Sequence, residues 1–201
     1  MGLSLPYDML RNRRVKEECM TPSGHLMMSW LCGASTVSTK RERILITLAG
    51  LSPDADGIGL LADWITGTTR LYHQWHHVLG HNLLFALSIA TCASLLAHTG
   101  KKCVWLMSFV AIHLHLLTDL TGSKGPDGYQ WPIQYFYPFN HAGYTWQGQW
   151  ALNAWQNHLI WLCLALICIG YIRRCNISFF ELFGSKLDEA ARRLCTRLLS
   201  R

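Results

Sequence analysis

"CVWLMSFVAIHLHLLTDL", residues 103–120, carries no formal charge until Asp119, yet holds two histidines near its end. The stretch reads as a helix. On a helix His115 and Asp119 stand four residues apart and share one face, while His113 points elsewhere. A buried imidazole and a buried carboxylate are costly unless they pair with each other or with a cation. The stretch therefore has two readings. His115 and Asp119 are a hydrogen-bonded pair, or they are two metal ligands.

Working outward, the same stretch is the second arm of a hairpin. A helix over about 81–98 precedes it, joined by the turn "TGKK". Antiparallel helices with a short turn bring their far ends together. His81, at the start of the first arm, thus meets His115 and Asp119 at the end of the second. His76 lies on the approach to that end. A first helix is expected from near Gly24 to near Ser38, and His25 opens it. "TKRER" (39–43) reads as a basic turn, and the short apolar segment Ile44–Leu51 runs into "SPDADG". By the same up-down logic His25, Asp54, Asp56, His76, His81, His115 and Asp119 gather at one pole. Lys40, Arg41, Arg43, Lys101, Lys102, Arg173 and Arg174 gather at the other.

The rest of the chain reads as connections and helices. Residues 60–80 read as a polar, aromatic-rich connection, and 121–154 as a long Gly, Pro and aromatic loop. A further helix is expected over about 153–172, ending at Arg173–Arg174. There is no strong strand signal, so the class is all-α: a membrane-associated helical bundle with a polar metal site at one pole. Residues 1–20 form a polar lead-in, 21–174 the helical domain and 175–201 a basic amphipathic helix. In that tail Leu187, Ala191, Leu194 and Leu198 make one face, while Lys186, Arg192, Arg193 and Arg197 line the other. Such a helix lies on anionic lipid or packs on the core.

Composition supports the membrane. Of 201 residues half are hydrophobic and only 15% charged, against about 25% in soluble domains. No Asp, Glu, Lys or Arg occurs over 71–100 or over 129–172. The purely apolar runs fall short of the ~18 residues of a spanning helix, but uncharged flanks make each long enough. No cleavable signal peptide is visible, since residues 1–20 lack an apolar core. Eight cysteines without a CxxC motif give neither a disulfide framework nor a zinc finger. The net charge of +6 suits anionic headgroups, and no nucleic-acid recognition motif accompanies it.

Four histidines and three carboxylates at one pole have the composition of a metal site. Imidazole and carboxylate suit zinc first, with manganese or iron as other options, and the lack of thiolates argues against a closed structural zinc site. Taken singly the residues are bland. His25 reads as a helix-start histidine and "PDAD" as a turn with an Asp cap. His73, His77, His98, His113, His141 and His158 are read as structural, His77 and His113 least firmly. The aromatic loop is read as an interfacial belt or simple packing rather than a substrate lid.

"TPSGH" (21–25), "SPDADG" (52–57), "HHVLGHN" (76–82), "HLLTD" (115–119) and "WPIQYFYPF" (131–139) together resemble the pattern of the membrane-bound, metal-dependent hydrolases of the YdjM type. The resemblance covers about residues 21–160. It implies a helical protein of the bacterial inner membrane, multi-pass or partly embedded, with kinship to zinc-dependent phospholipase C. Carried over, it makes His25, Asp54, His81, His115 and Asp119 metal ligands, and Asp56 and His76 ligands or supports behind them. The pattern's Arg, Gly, Thr and Ser are here His77, Val78, Gly80 and Asn82. An Arg would orient a phosphate better than a histidine does at neutral pH.

The resulting expectation is a membrane-bound hydrolase. One or two divalent ions would activate water against an ester, a phosphoester of a lipid or similar amphiphile. Asp54, Asp56 and His76 are the candidate catalytic groups, with Asp54 or Asp56 as general base or metal bridge. The alternative is a non-catalytic metal-binding membrane protein with a structural or regulatory site. A third reading, a transporter-like or scaffold protein, makes the polar pole a hydrogen-bonded core. The positive-inside rule puts the basic turns in the cytoplasm and the metal pole on the far side. Arg11–Lys16, just before His25, pulls the other way, and the segment before "PDAD" is short for a span at ~1.5 Å per residue. The sequence leaves the oligomeric state open.

Overall fold

In the computed structural model, which describes residues 22–67, 71, 75–125 and 128–199, Asn82 opens the first arm of the hairpin. Its Oδ1 accepts from the Phe85 N–H at 2.8 Å, a standard N-cap. The chain runs through α1 (Pro22–Ala34), α2 (Lys40–Leu51), a 3₁₀ turn (Ser52–Gly57), α3 (Ile58–Thr66), α4 (Leu83–Leu96) and α5 (Lys101–Gly122). After the aromatic loop come α6 (Trp155–Cys175), a second 3₁₀ turn (Phe179–Phe183) and α7 (Ser185–Leu199). No strand occurs among the described residues; Ile133 with Tyr144 and Lys124 with Ala151 form isolated bridges. The class is all-α, as the periodicity predicts.

Small residues set the packing. α4 turns Ala86, Ala90 and Ala93 inward, and Ala97 follows just past its end; α5 answers with Val104, Ala111 and Ile112. Between helices in lipid, association rests on close van der Waals contact, and small side chains allow it. Gly50 marks the tightest crossing. A Cβ there would lie 2.2 Å from Ser29 Oγ and 2.9 Å from Ala111 Cβ, so α1, α2 and α5 meet at this point only because the side chain is absent.

The two poles are tied differently. At the basic pole Arg41 donates to the Leu96 carbonyl at 3.0 Å. Glu42 accepts from the backbone N–H groups of His98 and Thr99. Arg43 forms a two-pronged pair with Glu181 at 2.7 Å, and Trp30 Nε1 donates to the same carboxylate at 2.8 Å. At the other pole the last carbonyls of α5, which helix geometry leaves unpaired, are taken up by the loop. Gln149 Nε2 donates to Asp119 O at 3.0 Å and Asn157 Nδ2 to Gly122 O at 2.9 Å.

Among the described residues three stretches are long and apolar enough to cross a membrane: Lys40–Thr66, Lys101–Gly122 and Trp155–Cys175. α6 exposes Leu159, Leu162, Leu166 and Ile167, an apolar surface that suits lipid. α4 is apolar but only 14 residues long, about 21 Å.

The structure corrects three boundaries. Residues 60–66, expected within a polar connection, are helical, and the run from Lys40 continues through the 3₁₀ turn to Thr66. Pro53 is tolerated there because it stands in a first turn; Gly67, with φ 64°, ends the run. "TKRER" is largely the first turn of α2 rather than a loop. α6 runs on through Arg173 and Arg174 to Cys175, where Asn176 closes it in the left-handed conformation. The seven cysteines among the described residues are unpaired. The lead-in 1–20 and His73 lie outside the described residues.

Candidate metal centre

Asp119 is the hub. From the last turns of α5 its Oδ2 lies 3.1 Å from His115 Nε2 and 3.2 Å from His81 Nε2, and its Oδ1 lies 3.4 Å from His25 Nε2. Asp54, in the 3₁₀ turn, brings Oδ1 to 3.3 Å from His115 Nε2. The ligand atoms of Asp54, His81, His115 and Asp119 all fall within 4.8 Å of one another. His25 stands just beside them, its ring stacked on that of His115 with centroids 3.9 Å apart.

The other ring nitrogen of each histidine decides what these contacts mean. His115 Nδ1 faces the Gly50 carbonyl at 2.9 Å. His81 Nδ1 faces Asp56 Oδ2 at 3.1 Å. His25 Nδ1 faces the Thr118 hydroxyl at 3.5 Å, and that hydroxyl donates to the His115 carbonyl. Each acceptor favours a proton on Nδ1, which leaves the Nε2 lone pair of a neutral ring aimed at Asp119. Three lone pairs against two carboxylates repel unless a cation or added protons come between them. His115 Nε2 is buried and forms no hydrogen bond, although two carboxylate oxygens lie within 3.3 Å of it. An orphaned, deprotonatable nitrogen between two carboxylates is a good fit for a divalent ion.

Asp56 sits behind the centre. Its oxygens face His76 Nδ1 at 2.8 Å and His81 Nδ1 at 3.1 Å and accept from the backbone N–H groups of His77 and Gly80. With four donors already on it, this carboxylate orients His81 rather than facing the central group. His76 meets Asp56 and makes ring contacts with His77, His81 and Trp131. All seven residues expected at this pole are there; four converge on one point, His25 adjoins it, and Asp56 and His76 support it.

His77, read as structural from the sequence, adjoins the site. It has φ 67°, is buried, and its Nδ1 has no hydrogen-bond partner. Burial, with the neighbouring His81, pushes its pKa well below the ordinary value. His81 behaves oppositely. Burial alone would lower it, but the carboxylates of Asp119 and Asp56 on its two sides favour an added proton and raise it. His113 keeps its structural reading, between the Phe109 carbonyl at 2.8 Å and the Tyr135 hydroxyl at 3.0 Å. Gly80 lies against Pro53, where a Cβ would come within 2.3 Å of the Pro53 carbonyl oxygen. That contact fixes the "HHVLGHN" segment on the 3₁₀ turn. Gln149 and Gly50 support the site without any motif to announce them.

The site opens on one side. The Asp54 side chain is 35% exposed, against 5% for Asp119 and none for His81 and His115. Trp131, from the aromatic loop, packs on His76 and His77 at the rim, while Phe139 at the loop's tip is exposed.

The profile of the YdjM inner membrane protein family matches residues 20–185, through all of these positions. No curated protein and no solved structure matches the chain.

Proposed function

The chain belongs to the YdjM inner membrane protein family, and we propose that it is a membrane-embedded, metal-dependent hydrolase acting on a phosphoester of a lipid or similar amphiphile. One observation carries the reading: two buried imidazole nitrogens and two carboxylates converge within 4.8 Å, with the Asp54 edge open. Asp54, His81, His115 and Asp119 would hold the ion, with His25 beside them. The set suits zinc first, then manganese or iron. When bound, such an ion supplies a Lewis acid that brings the pKa of water toward neutrality.

The chain's own groups do the rest. Asp56 and the Gly50 carbonyl hold His81 and His115 in the tautomer whose Nε2 faces the centre. Asp54, the most exposed of the four, is placed to take a proton from an incoming water. Leu79, Leu84 and Leu117 are exposed near this pole, an apolar rim that suits acyl chains.

A second reading, a structural or regulatory metal site without turnover, is favoured by the depth of His81, His115 and Asp119 and by His77 where the family pattern has Arg. Metal content by plasma mass spectrometry, on wild type beside His115→Ala/Asp119→Ala, comes first. Hydrolysis of phosphodiester and phosphomonoester lipids follows, with Asp54→Asn assayed at saturating metal. Bound metal with turnover that Asp54→Asn removes supports the hydrolase. Bound metal without turnover on any phosphoester leaves the regulatory site. No metal, even on titration, leaves a hydrogen-bonded core.

A further inference from the structure

We propose that α7 docks on an anionic lipid surface, with its leucine edge at the acyl boundary and its cations among the headgroup phosphates. The helix has one face already occupied. Asp188 accepts from Ser178 Oγ at 2.7 Å and pairs with Arg192 at 3.1 Å, and Ala191, Arg192 and Cys195 are half-buried against the chain. The adjoining edge is bare. Leu187, Leu194 and Leu198 are 46%, 59% and 66% exposed, and Phe183, just before the helix, is 60% exposed. At seven- and four-residue spacing the three leucines form one continuous stripe.

Charge and position choose the occupant. Lys186, Arg193 and Arg197 recur along the flank next to that stripe and are exposed; Arg193 is paired with Glu189 at 2.6 Å. An apolar stripe beside a row of cations is the pattern of a helix lying in an anionic interface, where each cation near the surface strengthens attachment. α7 also stands where such an interface would be. α6, a helix long enough to cross a membrane, ends at exposed Arg173 and Arg174. Nine residues separate the end of α6 from the start of α7, which packs back against α6. The segment between is pinned by the Arg43–Glu181 pair, so α7 is held at the level where α6 leaves the bilayer.

The test uses the full chain at one copy per nanodisc, in phosphatidylcholine alone or mixed with phosphatidylglycerol. Amide hydrogen exchange is followed over residues 185–199. Exchange there is expected to slow about tenfold or more on adding the anionic lipid. Lys186→Gln/Arg193→Gln/Arg197→Gln should abolish the lipid dependence. Leu187→Ser/Leu194→Ser/Leu198→Ser should remove protection in both lipids, with exchange over α5 unchanged as the folding control. Equal exchange in the two lipids would overturn the proposal. So would protection that survives the leucine changes, or that arises only when a disc holds two copies, which would assign the face to a second copy of the chain.

Discussion

Asp56 and Asp119 are both buried carboxylates beside His81, yet they should fail differently when changed. Asp119 faces three imidazole Nε2 atoms, so Asp119→Asn should lose the metal outright. Asp56 faces the other side of His81 and two backbone N–H groups. Asp56→Asn keeps its shape but turns an N–H₂ toward donors, so it should retain the stoichiometry and weaken affinity about 10–100-fold. Chelator competition on the two purified variants separates the outcomes; equal loss in both would mean Asp56 is itself a ligand. Gly50→Ala tests the scaffold instead. The new methyl would collide with Ser29 and Ala111, and overpacking of this kind costs about 1–3 kcal/mol. A lower thermal midpoint in detergent is the expected result. The positions of His115 and Asp119 were legible in the sequence because four-residue spacing puts them on one face. The resemblance already set Asp56 apart from Asp54 as a ligand or a support, but spacing in "PDAD" does not say which carboxylate the histidines will saturate.

At the scale of elements, one carboxylate ties the tail to the bundle beside the packing of Ile177 and Phe179 on Met27 and Trp30. Glu181 takes both prongs of Arg43 and the Trp30 indole N–H, all buried. Glu181→Ala leaves a buried guanidinium unpaired, a loss of about 3–5 kcal/mol. The segment from Ile177 onward should then detach before the bundle melts, seen as faster trypsin cleavage at Arg173 and Arg174. Arg43→Met/Glu181→Leu should restore most of the resistance, because it removes the charge along with its partner. Intact resistance in Glu181→Ala would show that α7 is held by other contacts. Nothing in the sequence links residue 43 to 181, since a pair so distant follows from tertiary packing alone. The hairpin was legible for the opposite reason: the turn "TGKK" between two apolar runs is a local signal. The helix over 58–66 was missed because Asp54, Asp56 and Asp63 disguise an apolar run that the 3₁₀ turn carries straight on from α2.

At the scale of the molecule, charge is segregated along the bundle. Lys40, Arg41, Lys101, Lys102, Arg173 and Arg174 lie at the pole tied by Glu42 and Glu181, and the cations of α7 follow at the same end. The opposite pole holds Asp54, Asp56 and Asp119. Asp119 is 18 residues along α5 from Lys101, a separation of about 27 Å, close to the hydrocarbon thickness of a bilayer. If α5 crosses, the metal centre lies near the surface facing away from the lysines. Cationic segments are retained on the cytoplasmic side, so the centre is expected to open to the far side. In a cysteine-free background, Asn140→Cys, on the exposed loop at the metal pole, should react with an impermeant maleimide in intact cells. Thr196→Cys, exposed on α7, should react only after the membrane is opened. The reverse pattern would place the His/Asp cluster on the cytoplasmic side, where the cations of residues 11–16 would outweigh those of the turns. On the hydrolase proposal, either result would also name the pool of substrate: the far-side arrangement would offer Asp54 the outer leaflet, the reverse the inner one.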